Sequence, residues 1–210
     1  MSFNPDTNVC IKDDVIIDNP DGLTYTENLH LGHRIVIQAA GGITLGRQVA
    51  IGEETVIWSV NHDYEEGCLP YGFTRIRKPV VIEDNVWIGR NVMIAPGSHI
   101  GEGAVLSLGA VVSGRIPPLA VVAGNPARVV RFRSLERYLQ ARRDNINLWT
   151  QRTVPGCPSC EPENFGWANA SPTRTRSALQ RWWDGMTLGR QETRIRQALE
   201  QFNARESAAE

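Results

Sequence analysis

The chain has 210 residues and a formal net charge of −1, from 22 Lys and Arg against 23 Asp and Glu. That near-neutral balance argues against nucleic acid or an anionic membrane as partner. Its four scattered cysteines, Cys10, Cys68, Cys157 and Cys160, do not suggest a disulfide framework. With no charged-then-apolar leader and no run of eighteen apolar residues, a soluble, cytoplasmic chain without membrane insertion is expected.

Residues 1–44 carry a loose six-residue ruler of aliphatics: Ile11, Ile17, Leu23 and Leu29, then Leu31, Ile37 and Ile43. Its phase slips by two between Leu29 and Leu31, and again between Ile43 and Leu45. Asp21 and Glu27 stand where a small inward residue belongs, so irregular corners are expected in these first turns. The ruler then runs through Leu45, Ile51 and Ile57, with Val49 and Thr55 as a second register.

From Ile57 to Ile82 the interval is 25 residues. The text from Asn61 to Phe73 is polar, punctuated by Gly and Pro, and has no six-residue order. It predicts a loop thrown out of the repeat at about 61–79, of the kind that often carries function. Beyond it the ruler is strict: Ile82, Ile88, Ile94, Ile100, Leu106 and Val112, with Val86, Val92, Ser98, Ala104, Ala110 and Ile116 as the second register.

A helix would place its apolar residues at intervals of three and four. Six is a multiple of the strand period of two, so every ruler residue points to one side of a strand. Short strands ending at corners and stacked in parallel make a β-solenoid. The ruler stops after Arg131. Ser134 to Asn145 is expected to be helical, residues 153–172 read as a linker, and a last helix is expected from about Pro172. In it Leu179, Trp182, Trp183, Met186, Ile195, Leu199 and Phe202 follow helical spacing, with breaks or kinks at Gly185 and Gly189. The domains are therefore 1–131, the solenoid, and 132–210, a helical extension.

Asn85-Val86-Trp87-Ile88-Gly89, Ala95-Pro96-Gly97 and Ala123-Gly124-Asn125-Pro126-Ala127-Arg128 carry a resemblance. On these motifs the chain resembles the hexapeptide-repeat acyltransferases. The branch is that of the maltose, galactoside and nodulation-factor acetyltransferases and the polysaccharide O-acetyltransferases. The resemblance implies an all-β fold, a left-handed parallel β-helix, followed here by a helical C-terminal tail. It implies acetyl-CoA as co-substrate with no metal, and a homotrimer with the active site between subunits. The implied activity is O-acetylation of a sugar or glycan precursor hydroxyl. An antibiotic or amino-sugar acetyltransferase is the alternative reading, ahead of a metal-dependent hydratase or a non-catalytic trimeric scaffold.

His62 is the candidate general base. Imidazole titrates near neutrality, and His62 stands where the excursion leaves the repeat. The resemblance places the family's catalytic histidine at the same point. A plain polar loop histidine is the competing reading. His30, His33 and His99 have no such placement. The cofactor contacts that the resemblance carries onto this chain fall on Arg90, Leu108, Ser113, Gly114, Arg128 and Arg131. Small Gly109 and Ala110 would let pantetheine approach closely. Trp87, outward beside Val86, suits pantetheine or a sugar face. Asn61, Tyr64 and Tyr71 are candidate acceptor contacts.

Two positions depart from the family pattern. Gly114 stands where a lysine is usual, and Gln38-Ala39-Ala40-Gly41-Gly42 lacks the aspartate that binds sugar in galactoside members. The acceptor is therefore not expected to be a simple galactoside or maltose. Cys157 and Cys160 read as ordinary thiols rather than half a zinc site.

Overall fold

The computed structural model describes residues 2–4, 8–146 and 178–207. Two compact units divide at Arg133 and Ser134. The first is a parallel solenoid with three faces. Sheet A stacks β2 (Val9–Ile11), β5 (Leu29–Leu31), β8 (Val49–Ile51), β13 (Trp87–Ile88), β16 (Val105–Leu106) and β19 (Ala120–Ala123). Sheet B stacks β3 (Ile16–Asp18), β6 (Val36–Gln38), β9 (Val56–Trp58), β14 (Met93–Ile94) and β17 (Val111–Val112). Sheet C stacks β4 (Leu23–Tyr25), β7 (Ile43–Leu45), β12 (Val80–Ile82), β15 (His99–Ile100) and β18 (Arg115–Ile116).

The ruler residues form continuous inward rows. Ile37, Ile57, Ile94 and Val112 stack inside sheet B, and Leu31, Ile51, Ile88 and Leu106 inside sheet A, all buried. Removing one of these side chains would leave a cavity that neighbours in the same row cannot fill, costing about 2–5 kcal/mol. Both ends of sheet A turn antiparallel. β1 (Ser2–Asn4) pairs with β2, and β20 (Arg128–Phe132) folds back on β19, covering strand edges that would otherwise be open.

The phase slips have a physical origin in one corner. From sheet A to sheet B the inward interval is always six: Ile11 to Ile17, Leu31 to Ile37, Ile51 to Ile57, Ile88 to Ile94 and Leu106 to Val112. From sheet B to sheet C it is eight between Ile37 and Leu45, 25 between Ile57 and Ile82, and six between Ile94 and Ile100. The B–C corner is thus wide in the early coils. The irregular corners expected from Asp21 and Glu27 are seen: Asp21 lies exposed in a 3-10 turn, Pro20–Gly22, and Glu27 is exposed as well. Gly22 and Gly41 let these wide corners stack. A Cβ on Gly22 would lie 2.0 Å from Ala39 O, and one on Gly41 would lie 1.9 Å from Ser59 O.

The excursion is more ordered than a loop. It contains a two-stranded hairpin, β10 (Val60–His62) with β11 (Arg75–Arg77), which its polar text hid.

The second unit holds α1 (Leu135–Arg143) and α2 (Ala178–Ser207). Ser134 caps α1, its Oγ accepting from the Arg137 amide at 3.3 Å. Arg142 of α1 hydrogen-bonds Gln191 of α2, and Tyr138, Leu139 and Ile195 are buried. α2 runs unbroken through Gly185 and Gly189, against expectation. A helical glycine costs only about 1 kcal/mol relative to alanine, which so long a helix absorbs. The linker at 153–172, the start near Pro172, and Cys157 and Cys160 lie outside the described residues.

Candidate active site

The excursion grows from the B–C corner and is anchored by Ser59. Buried Ser59 donates its hydroxyl to Gln38 O at 2.7 Å and accepts from the Gly41 amide at 2.9 Å. Its carbonyl accepts from the Lys78 amide at 2.9 Å, and Lys78 O accepts from the Gly97 amide at 3.1 Å. The departing and returning strands are therefore pinned together and to the coils on either side.

His62 closes β10, directly opposite Arg75. Asn61 Oδ1 accepts from the His62 amide at 2.9 Å. The Tyr71 ring lies against the imidazole, with centroids 4.0 Å apart at 32°. His62 Nδ1 is buried and has no hydrogen-bond partner among the described residues. Asp63 does not orient this ring by a hydrogen bond: its Oδ1 accepts from the Glu65 amide at 2.9 Å.

A clamp holds Tyr71 in place. Glu66 accepts from both the amide and the hydroxyl of Thr74, each at 2.8 Å. These bonds, the amide's first, hold the Glu66 carboxyl below its ordinary range. The Gly72 amide donates to Asp63 O at 2.7 Å, and a Cβ on Gly72 would strike the Glu66 side chain. Glycine at 72 is what lets the clamp close beside Tyr71.

The other candidate residues fall in separate places. Arg90, Leu108, Gly109 and Ala110 lie at the A–B corner, whereas Ser113 and Gly114 lie at the B–C corner, on the edge from which the excursion leaves. Leu108 is 71% exposed and Gly109 has φ +70. Ala110 points its methyl into the core, and its amide and carbonyl are bonded to Ser107 O and the Met93 amide. Trp87 stands on sheet A, 60% exposed, and Tyr64 is exposed in the excursion. Arg128 and Arg131 are exposed on β20.

Arg90 is engaged by a carboxylate that the sequence reading missed. Glu54 accepts from Arg90 Nη2 at 2.9 Å and from Arg34 Nη2 at 2.6 Å, tying three successive coils at the A–B corner. The Arg90 and Arg34 hydrogen bonds pull the Glu54 pKa from the usual 4.5 to about 2. Only the stacking in space, not the spacing along the chain, brings these three together.

The remaining histidines have their own surroundings. His33 Nδ1 lies 3.1 Å from Asp14. His99, outward on sheet C, is half-buried with Nε2 2.8 Å from Glu83. His30 lies on sheet A opposite Cys10 and Ala50.

Residues 79–114, which contain all of β12 to β17, match the family model for bacterial transferase hexapeptide (six repeats). The chain is 32% identical over 126 residues to WcaF of Escherichia coli, named for a colanic acid biosynthesis acetyltransferase; the match spans 60% of this chain and 67% of WcaF. The chain belongs to the hexapeptide-repeat acyltransferase family. It is also 32% identical over 125 residues to galactoside O-acetyltransferase of the same bacterium, spanning 55% of this chain and 59% of that one. Across the first curated relatives of this acyltransferase family member, the match spans about three fifths of their length. Among solved structures, a hexapeptide-repeat acetyltransferase of Vibrio cholerae complexed with acetyl coenzyme A superposes with a TM-score of 0.56 at 31% identity. That match covers 59% of this chain and 67% of the other. No helix among the described residues is long and apolar enough to cross a membrane.

Proposed function

We propose that the chain is an acetyl-CoA-dependent O-acetyltransferase acting on a sugar or glycan hydroxyl, with His62 as general base. The observation that carries this reading is the placement of His62. It is a ring packed against Tyr71, at the root of the one long departure from the repeat among the described residues. Nδ1 is buried, so the reading assigns Nε2 to the acceptor.

The chemistry balances on these groups. Nε2 takes the hydroxyl proton as the acceptor oxygen attacks the thioester carbonyl carbon. Main-chain amides hold the tetrahedral oxyanion. The carbon–sulfur bond then breaks, and the imidazolium returns its proton to the leaving thiolate. The cofactor wall comprises Trp87, Arg90, Leu108, Gly109, Ser113, Gly114, Arg128 and Arg131, with Ala110 serving as filler behind it.

A homotrimer with the site between copies is part of this reading, and the outer faces support it. One outward row of sheet B is aliphatic throughout, Ile16, Val36, Val56, Met93 and Val111, with Ile16 56% and Met93 48% exposed; in the first three coils a second outward row, Asp18, Gln38 and Trp58, lies beside it. The corresponding row of sheet C, Thr24, Thr44, Val81, His99 and Arg115, is mostly polar. Sheet B separates the corner of Leu108 and Gly109 from the corner of Ser113 and the excursion, so a copy seated there would adjoin both. Sedimentation equilibrium checks the assembly.

Release of coenzyme A thiol with a panel of sugar acceptors tests the activity. His62→Ala is expected to lower kcat by about 10²–10⁴, far more than the small drop in unfolding midpoint that follows from losing the Tyr71 ring contact. Undiminished turnover in that variant would remove His62 from the mechanism.

A further inference from the structure

The hairpin that carries His62 presents a charged face. In an antiparallel pair, directly opposed residues point to the same side, and so do residues two apart on one strand. Val60 opposes Arg77 and His62 opposes Arg75. Val60, His62, Arg75 and Arg77 therefore share one side of the ribbon, and Asn61 and Ile76 share the other. Arg75 is the cross-strand neighbour of His62, with Cβ atoms on the order of 5 Å apart.

Both arginines are exposed, and neither has a carboxylate partner among the described residues. The contrast with the prism is direct. Arg34 and Arg90 are held by Glu54, and Arg47 by Asp84 at 3.0 Å. Lys78, next along the chain, is not part of this face: its stem lies against Gly97. Arg75 thus stands directly across from the candidate base and Arg77 diagonally from it, both on the neighbouring strand and both without an ion pair among the described residues. A planar guanidinium offers paired N–H groups that match a phosphate or carboxylate.

We infer that the acceptor is anionic: a sugar carrying a phosphate or carboxylate close to the hydroxyl that is acetylated, with Arg75 and Arg77 binding that group. The inference rests on the transferase reading above. It deepens that reading by giving the acceptor a charge class. It also fits the stretch Gln38 to Gly42, which offers no carboxylate to grip a neutral sugar's hydroxyls. Coenzyme A itself carries phosphates, so the test must tell the two sources apart.

The full chain is titrated calorimetrically with glucose 1-phosphate and with glucose, as wild type and as Arg75→Gln, Arg77→Gln and the double variant. The phosphate ester is expected to bind at least tenfold more tightly than glucose. Each substitution is expected to weaken it several-fold, and so is raising sodium chloride from 50 to 200 mM. In the thiol-release assay the same substitutions are expected to raise KM for anionic acceptors while leaving KM for acetyl-CoA in place. Equal binding of ester and sugar overturns the inference. So does a rise in KM for acetyl-CoA that vanishes when acetyl-dephospho-CoA is used, because the arginines would then read the cofactor. Charge-selective binding without any acetyl transfer would instead sink the transferase reading and leave the anion site standing.

Discussion

Two edges of the same prism are built on opposite rules. At the A–B edge every coil turns at the same six-residue interval, and Glu54 ties Arg34 below to Arg90 above. At the B–C edge the interval is eight, swells to 25, falls to six and narrows to four between Val112 and Ile116. The first edge is held by stacked side-chain charges and repeats itself. The second is held by hydrogen bonds of the Ser59 hydroxyl and carbonyl to backbone groups and varies. Chemistry that needs irregular geometry belongs on the edge that can vary without moving the coils above it.

The contrast can be broken or sharpened by substitution. The largest effect, loss of turnover in His62→Ala, falls wholly on the variable edge. Next comes Gly41→Ala, whose Cβ would lie 1.9 Å from Ser59 O and 3.1 Å from the Lys78 amide. Overpacking there is expected to cost about 1–3 kcal/mol in thermal or urea unfolding. Because Ser59 and Lys78 root the excursion, kcat should fall along with stability. A variant destabilised with kcat intact would show that the root and the site are uncoupled.

Tyr71 comes third. Tyr71→Phe keeps the ring and should keep activity, whereas Tyr71→Ala removes a contact of about 0.5–1.5 kcal/mol. That loss should lower kcat by about three- to tenfold and leave KM for acetyl-CoA in place. Equal loss in both variants would assign the role to the hydroxyl rather than the ring.

The smallest effect belongs to the regular edge. The Glu54 carboxyl has its folded pKa held at about 2, below the usual 4.5, so folding favours its ionised form. The stability it contributes is present above about pH 4.5 and is lost as pH falls toward 2. Melting temperatures of wild type and Glu54→Gln should therefore differ modestly at pH 6 and converge near pH 2. Both groups are solvent-screened, so salt should narrow the gap at pH 6. No difference at pH 6 would make the triad incidental.

Much of the fold was legible because its signal is local. Ile82 to Val112 repeat at one interval, and each residue lies buried in the row it predicts. The slips at Leu31 and Leu45 were visible too, but their cause was not. The strands they touch, Leu29–Leu31 and Ile43–Leu45, each bury both end residues, and the extra length sits in the preceding B–C corner. His62 could be singled out from four histidines by the gap in the ruler. The hairpin beneath it could not, since Arg75-Ile76-Arg77 lacks the apolar alternation of a half-buried strand. Tyr71 over His62, and Glu54 between two arginines, depend on separations of nine to 36 residues that only folding closes.

The single hydrogen bond from the Lys78 amide to Ser59 O has an engineering consequence. The two ends of the excursion meet there, so the eighteen residues between them form a cassette whose length the prism does not register. Loop-closure cost grows only slowly with length, by about 0.6 kcal/mol per doubling. Segments of other sizes and chemistries can be spliced at Ser59 and Lys78, which, on the proposed function, makes this chain a frame in which acceptor preference can be rewritten while the coils above and below stay as they are.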